Sequence, residues 1–204
     1  TLAGWGGPAL LASYETERRQ VGARNVAASR HASTGRRKWR GTWRPEIRDA
    51  TPEGAAARQH LTAVADVEQR KTNEMIGAEL GYRYVGSPLI AEEDGEAPDA
   101  GFMAYEPSAW PGFRLPHTWL DDGTPIQDRL GTGYTLLVLG GTSAGTGGLV
   151  SAFAAIGAPL EVLTLPDAAP RAVYGRDLVL VRPDLHVSWR GNAPPSDPVA
   201  IARC

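Results

Sequence analysis

The stretch YTLLVLGGTSAGTGGLVSAFAAIGAPLEVLTLP, residues 134–166, decides the fold. It opens on six residues without a charge, followed by glycines, as a strand buried on both faces would be. Residues 148–159 change to a helical pattern that Gly157 and Pro159 bring to a stop. LEVLTL, 160–165, then reads as a second strand. Downstream, DLVLVRPDLHVSWRG (177–191) predicts two strands joined by a turn at Pro183 and Asp184. Leu178 and Leu180 alternate on the first, and Leu185, Val187 and Trp189 on the second. PPSDPVAIARC (194–204) begins a helix. Strand, helix, strand, hairpin and partial helix describe a small α/β layer with helices against a sheet.

Upstream the pattern is helical. Gly7 and Pro8 are a good helix start, because proline at the first helical position loses no needed hydrogen bond. Leu10, Leu11, Tyr14, Val21 and Ala28 follow near helical spacing, and Glu15 stands four residues before Arg19. HASTGRRKWRGTWRPEIRD (31–49), rich in glycine and arginine, reads as a loop whose Trp39 and Trp43 dock on a neighbouring surface. Residues 51–81 predict a second helical region. Thr51 caps it, Pro52 takes its first position, Glu53 lies in its first turn, and Leu61, Val64, Met75, Ile76 and Leu80 supply an interrupted apolar face. GYRYVGSPLIAEEDGEAPDAG (81–101) gives a short strand-like piece and an acidic loop, and a domain boundary is expected near 82–104.

Composition narrows the function classes. The chain has 204 residues, 42% hydrophobic and 22% charged, with a formal net charge of −2. No global basic field exists to hold nucleic acid or an anionic membrane, and no window approaches about 18 apolar residues. The single cysteine, Cys204, is the last residue, so neither an internal disulfide nor a C-x-x-C redox pair is available. A cytoplasmic protein is expected. Thr1 is not a start residue, and the closing helix stops within two turns. The chain is therefore read as part of a longer protein.

The motifs carry little chemistry. GGTSAGTGG (140–148) lies between a strand and a helix, where a phosphate loop would sit. Gly140 and Gly145 have the phosphate-loop spacing, but Thr146 replaces the required lysine. The dinucleotide pattern fails because Val150 follows Gly145 and Gly147 where a third glycine is needed. His31, His60, His117 and His186 are not paired at zinc-ligand spacing, and no Ser/His/Asp triad or nucleophile elbow is assigned. Asp121 and Asp122 precede a glycine and read as a turn. The densest segment is YEPSAWPGFRLPHTWLDDG (105–123). Arg114, Pro116 and His117 stand there between Trp110 and Trp119, in a stretch stiffened by proline. It reads as a rigid docking loop. With Tyr14 and Arg18 on the first helix, these are the candidate interdomain residues; no catalytic, cofactor-binding or metal-binding residue is assigned.

Four segments together resemble one family. LLASYETERRQVGARN (10–25) resembles the late helix of the flavin domain in class A flavoprotein aromatic hydroxylases. LGYRYVGSP (80–88) and PGFRLPHTWL (111–120) resemble that family's entry to its C-terminal domain, and LVLVRPDLHVSWRG (178–191) its closing hairpin. Its nearer members are phenol, chlorophenol, hydroxyphenylpropionate and polyketide hydroxylases.

The resemblance implies a helical end of a flavin domain over 1–81, then a thioredoxin-like α/β domain over 82–204 that lacks the C-x-x-C and is truncated at its last helix. It implies that the first helix packs on an upstream flavin domain, which holds the FAD. The whole protein would use NADPH or NADH and hydroxylate a small aromatic substrate through a flavin hydroperoxide. A homodimer is common in the family. The chain by itself is expected to be inactive. The alternative is a non-catalytic thioredoxin-like scaffold or oligomerisation module.

Overall fold

The computed structural model describes residues 4–99, 101–140 and 145–204. The chain divides into two compact units. One gathers the residues up to 21, 82–99 and 106–204; the other gathers 22–81 and 101–105.

In the first unit, β1 (Tyr134–Leu139), β2 (Leu160–Leu165), β3 (Leu178–Val181) and β4 (Val187–Gly191) form a sheet in the order β2-β1-β3-β4. β1 runs parallel to β2 and antiparallel to β3, which pairs antiparallel with β4. A parallel pair needs a crossover, and α4 (Gly147–Ala155) supplies it. All six residues of β1 are buried, because successive side chains feed two cores. Leu136 and Val138 join Leu180, Leu149, Phe153 and Ala202 on one side. Leu137 and Leu139 join Val179, Val181, Leu115, Ile126 and Tyr174 on the other. β2 lies at the sheet's edge, and of its residues only Leu165 is fully buried. The helices α5 (Ala168–Tyr174) and α6 (Pro198–Arg203) complete a thioredoxin-like α/β layer. The strands, hairpin, crossover helix and last helix were all expected from the sequence. α5 was not: it is seven residues long and carries Pro170, and its Tyr174 is fully buried.

The first helix is longer than expected. α1 spans Pro8–Arg40, so residues 31–40 are helix and not the loop that their glycine and arginine content implied. Arginine is a good helix former, and Arg37, Lys38 and Arg40 in the last turn oppose the negative end of the helix dipole. Gly35, which looked like a breaker, is where this helix meets the next. A Cβ there would stand 2.5 Å from the carbonyl oxygen of Glu68.

In the second unit, α2 (Pro52–Asn73) starts as expected, with the Thr51 hydroxyl accepting from the Gly54 amide at 3.2 Å. It is followed by α3 (Ile76–Leu80). The expected apolar face is not what α2 buries, since Leu61 and Val64 are half-buried and Ile76 is exposed. The buried side chain is Glu68, 3% exposed, held by Lys38 at 2.5 Å and Lys71 at 2.7 Å. These two bonds keep its carboxyl below the usual range. Trp43 is half exposed, with Arg48 over its ring at 5.9 Å. No helix among the described residues is long and apolar enough to cross a membrane.

Candidate functional site

The turn between β3 and β4 builds the most elaborate polar arrangement of the first unit. Pro183 and Asp184 form the turn: the Leu185 amide donates to the Arg182 carbonyl at 2.9 Å, and the Arg182 amide to the His186 carbonyl at 2.8 Å. Leu185 has a φ of 68°, the only described non-glycine residue with a positive value. That conformation costs a side chain energy. It is held from outside, because the Leu185 carbonyl accepts from the Leu115 amide at 2.7 Å.

The turn buries a guanidinium. Arg182, 7% exposed, donates to both oxygens of Glu17 on α1, at 2.6 and 3.1 Å, and to Asp184 at 2.8 Å. Glu17 is 5% exposed and also accepts from the Ser87 hydroxyl at 2.6 Å. Burial alone would weaken Arg182's hold on its proton. The bond to Glu17 and the charges of Asp184 and Glu17 outweigh burial and push its pKa up. For Asp184, burial pulls the carboxyl upward, but His186 and Arg182 prevail and hold it below the usual range. His186 stacks on Tyr84 at 4.3 Å, and Arg182 lies over the same ring at 5.5 Å. The Nε2 of His186 is buried without a partner.

A second cluster ties the acidic loop to the sheet. Glu93 accepts from Arg176 at 2.5 Å and from Arg190 at 2.6 Å, and Arg190 lies over Trp110 at 4.9 Å. Burial would raise the Glu93 carboxyl, yet the two guanidiniums lower it.

Chemically these clusters are closed. Each carboxylate of the two clusters faces a guanidinium, and the Ser87 hydroxyl beside them donates to a Glu17 carboxylate that Arg182 already holds at both oxygens. Among the described residues no three His, Cys, Asp or Glu side chains could share a metal ion. The arrangement can clamp α1 and the 83–93 segment to the β3–β4 hairpin.

The five candidate interdomain residues are dispersed. Tyr14 is 70% exposed on α1, one turn from Leu11 at 67%. Arg18 is exposed beside them and reaches the Tyr84 hydroxyl at 3.5 Å. Arg114 is half-buried and pairs through its backbone with His186. Pro116 is buried, its carbonyl accepting from the Tyr174 hydroxyl at 2.8 Å. His117 is exposed, with Nδ1 3.0 Å from Gln127 Oε1 and its ring edge-on to Trp119. Thus Arg18 and Arg114 come to the Arg182 cluster from different elements, while Tyr14 and His117 lie elsewhere. Sequence reasoning did not single out Glu17, Arg182 or Glu93. The available signal was a lone arginine directly after an apolar strand.

The glycine-rich motif at 140–148 is described only in part, since residues 141–144 lie outside the described set. Residues 141–145 also spell Gly-Thr-Ser-Ala-Gly, which has the G-x-S-x-G spacing of a nucleophile elbow. That corrects the sequence reading, which assigned none. The start of α4 is nevertheless covered. A Cβ at Gly145 would meet the Pro194 ring at 2.6 Å, and one at Gly148 would meet Pro198 at 3.1 Å. These glycines admit a proline segment where a dinucleotide loop would admit a pyrophosphate.

Residues 108–203 match the family model described as aromatic-ring hydroxylase, C-terminal. The chain is 35% identical over 202 residues to an FAD-dependent monooxygenase, apdD, of Emericella nidulans, covering 94% of this chain and 32% of that protein. It is 27% identical over 237 residues to phenol 2-monooxygenase of a Pseudomonas species, covering 97% of this chain and 37% of that protein. The chain thus spans about a third of the length of these curated relatives. Among solved structures it resembles RebC with K252c bound, with a TM-score of 0.83 and 33% identity over 98% of this chain and 38% of RebC. It also resembles the flavin-dependent monooxygenase PieE in complex with FAD and substrate, with a TM-score of 0.80 and 27% identity over 99% of this chain and 41% of PieE. The clamp-bearing sheet therefore lies in the stretch that matches the C-terminal domain of aromatic-ring hydroxylases, and the chain as a whole is similar to about a third of the length of FAD-dependent monooxygenases.

Proposed function

We propose that this chain is the C-terminal part of a longer FAD-dependent monooxygenase that adds one oxygen atom to a phenolic ring. One observation carries the reading. Relatives align with 94% or more of this chain, yet this chain covers only about a third of each. In this reading residues 1–81 are the helical end of a flavin domain and residues 82–204 the thioredoxin-like domain. FAD supplies the oxygen chemistry, and NADPH or NADH supplies the electrons. The partners are an upstream flavin domain, a small aromatic substrate and a second copy in a homodimer. A lone cysteine fits a reducing, cytoplasmic setting.

The described residues do not fit FAD. The one glycine-rich helix start is filled by Pro194 and Pro198, and every buried carboxylate of the two hairpin clusters is satisfied by a guanidinium. No reaction step is assigned to this chain's side chains. Their part is mechanical. Glu17 and Arg182 fix the first turns of α1 against the hairpin, and Leu11, Tyr14 and Arg18 form the exposed face offered to the flavin domain.

The test is to express the whole gene and measure bound flavin and O₂ uptake with NADPH or NADH and a panel of phenols. Stoichiometric FAD and phenol-dependent oxygen uptake are expected. A flavin-free protein that consumes no oxygen would overturn the proposal.

A further inference from the structure

The chain as a whole has no basic field, but its charge is unevenly spread. RRKWRGTWRPEIR, residues 36–48, holds six arginines and lysines against one carboxylate, Glu46. It is the last turn of α1 and the short 3-10 helix Pro45–Arg48 that leads into α2, all within the second unit. Its backbone is fixed. The Gly41 amide donates to the Arg37 carbonyl at 3.0 Å, and the Thr42 hydroxyl to the Trp39 carbonyl at 2.6 Å. Arg58 of α2 donates to the carbonyls of Ile47 and Asp49, both at 2.8 Å.

Of the six cations only Lys38 holds a carboxylate, that of Glu68. Arg36, Arg37, Arg40, Arg44 and Arg48 are exposed and make no ion pair among the described residues. Two of them lie over indole rings instead, Arg40 over Trp39 at 5.5 Å and Arg48 over Trp43 at 5.9 Å. Arg36 and Arg40 stand four apart on the helix, a like-charge spacing that costs stability. The helix dipole accounts for cations in the last turn, but its effect fades beyond it and leaves Arg44, Arg48 and the half-exposed Trp43 unexplained. An anionic partner would turn the repulsion into attraction. A single nucleic-acid strand needs a continuous cationic track. Here the basic run gives way to Asp49 and Glu53, and in the groove beside Trp39 the one cation, Arg70, is tied to Asp66 and Glu74. A bilayer needs no track: guanidinium forks take headgroup phosphates, and tryptophan settles at headgroup depth.

We propose that residues 36–48 are a docking surface for a bilayer rich in anionic phospholipid. The five guanidiniums meet the lipid phosphates, and Trp43 enters the headgroup layer. The segment lies on the membrane and does not cross it, since no described helix is long and apolar enough to span one. A cluster of this size is the kind that anionic leaflets attract. The inference stands on the segment's own charge and does not depend on the flavin reading.

The probe is a vesicle of phosphatidylcholine with about a third phosphatidylglycerol, sedimented with the whole native polypeptide at low salt. Binding is expected to these vesicles and not to pure phosphatidylcholine. It should be lost near 0.5 M salt, where the screening length falls to about 4 Å. Each cation near an anionic surface is worth about fivefold in partitioning, so Arg40→Gln combined with Arg44→Gln should weaken binding about twenty-five-fold. Both side chains are exposed and outside any ion pair, and an unchanged melting curve checks that the variant folds. Quenching of tryptophan fluorescence by brominated lipid should fall in Trp43→Phe. Equal binding to neutral vesicles, binding that the double variant leaves intact, or quenching unchanged in Trp43→Phe overturns the proposal. So does failure to bind anionic vesicles, whether the rest of the polypeptide covers the segment or a single-stranded oligonucleotide or an acidic protein takes it instead. Flavin content and oxygen uptake test the proposed function and leave this inference standing.

Discussion

Arg182 shows how one side chain can hold two distant pieces of sequence together. It lies 165 residues from Glu17, and both are nearly inaccessible to water. Two buried charges are expensive to desolvate, and the fork geometry with its additional bonds from Ser87 and to Asp184 offsets that cost. Removing one partner strands the other. Glu17→Ala should therefore destabilise the protein by about 3–5 kcal/mol in urea denaturation. The double variant Glu17→Ala with Arg182→Ala should lose less than the sum of the singles, by about 1–3 kcal/mol. Strict additivity would mean that the pair is not coupled. The same groups set the response to acid. Asp184, Glu93 and Glu68 all have folded pKa values below the unfolded ones. The unfolded chain then binds more protons in the carboxylate range, so their stabilisation is present above about pH 5 and fades as the pH falls through the lowered values. Urea midpoints measured from neutral pH down into that range should decline steadily; flat midpoints would contradict the assignment.

At the scale of elements, alternation and capping were legible and close approach was not. YTLLVL announced a central strand because a strand covered on both faces needs apolar residues at every position. Thr51-Pro52 announced the start of α2, because the cap is a local hydrogen bond. Residues 31–40 misled, because a glycine in a basic run reads as a break unless the facing backbone is known. The clamp was illegible for a related reason: nothing local links Glu17 to Arg182. Two glycines of α1 separate these effects. Gly35→Ala places a Cβ 2.5 Å from the Glu68 carbonyl and should destabilise by about 1–3 kcal/mol. Gly22→Ala meets nothing within 4 Å and should stabilise by about 0.5–1 kcal/mol, since alanine restricts the unfolded chain. Paired denaturation curves check both signs, and two shifts of the same sign would contradict the packing.

For the whole molecule, the proposed function makes this chain a brace for an upstream flavin domain. Its exposed apolar residues on α1 belong to that claim. Leu11→Asp or Tyr14→Asp should leave the melting of the 204-residue chain unchanged, because both side chains are about two-thirds exposed or more. Either change should lower the melting temperature of the longer protein, where the account covers that face with a flavin domain. A large loss in the short chain would mean that α1 packs internally there. The most direct measurement is the intact mass and flavin content of the native polypeptide that carries this sequence. The account predicts a chain about three times as long as this one, carrying one FAD. A native polypeptide of 21.7 kDa without flavin would contradict it.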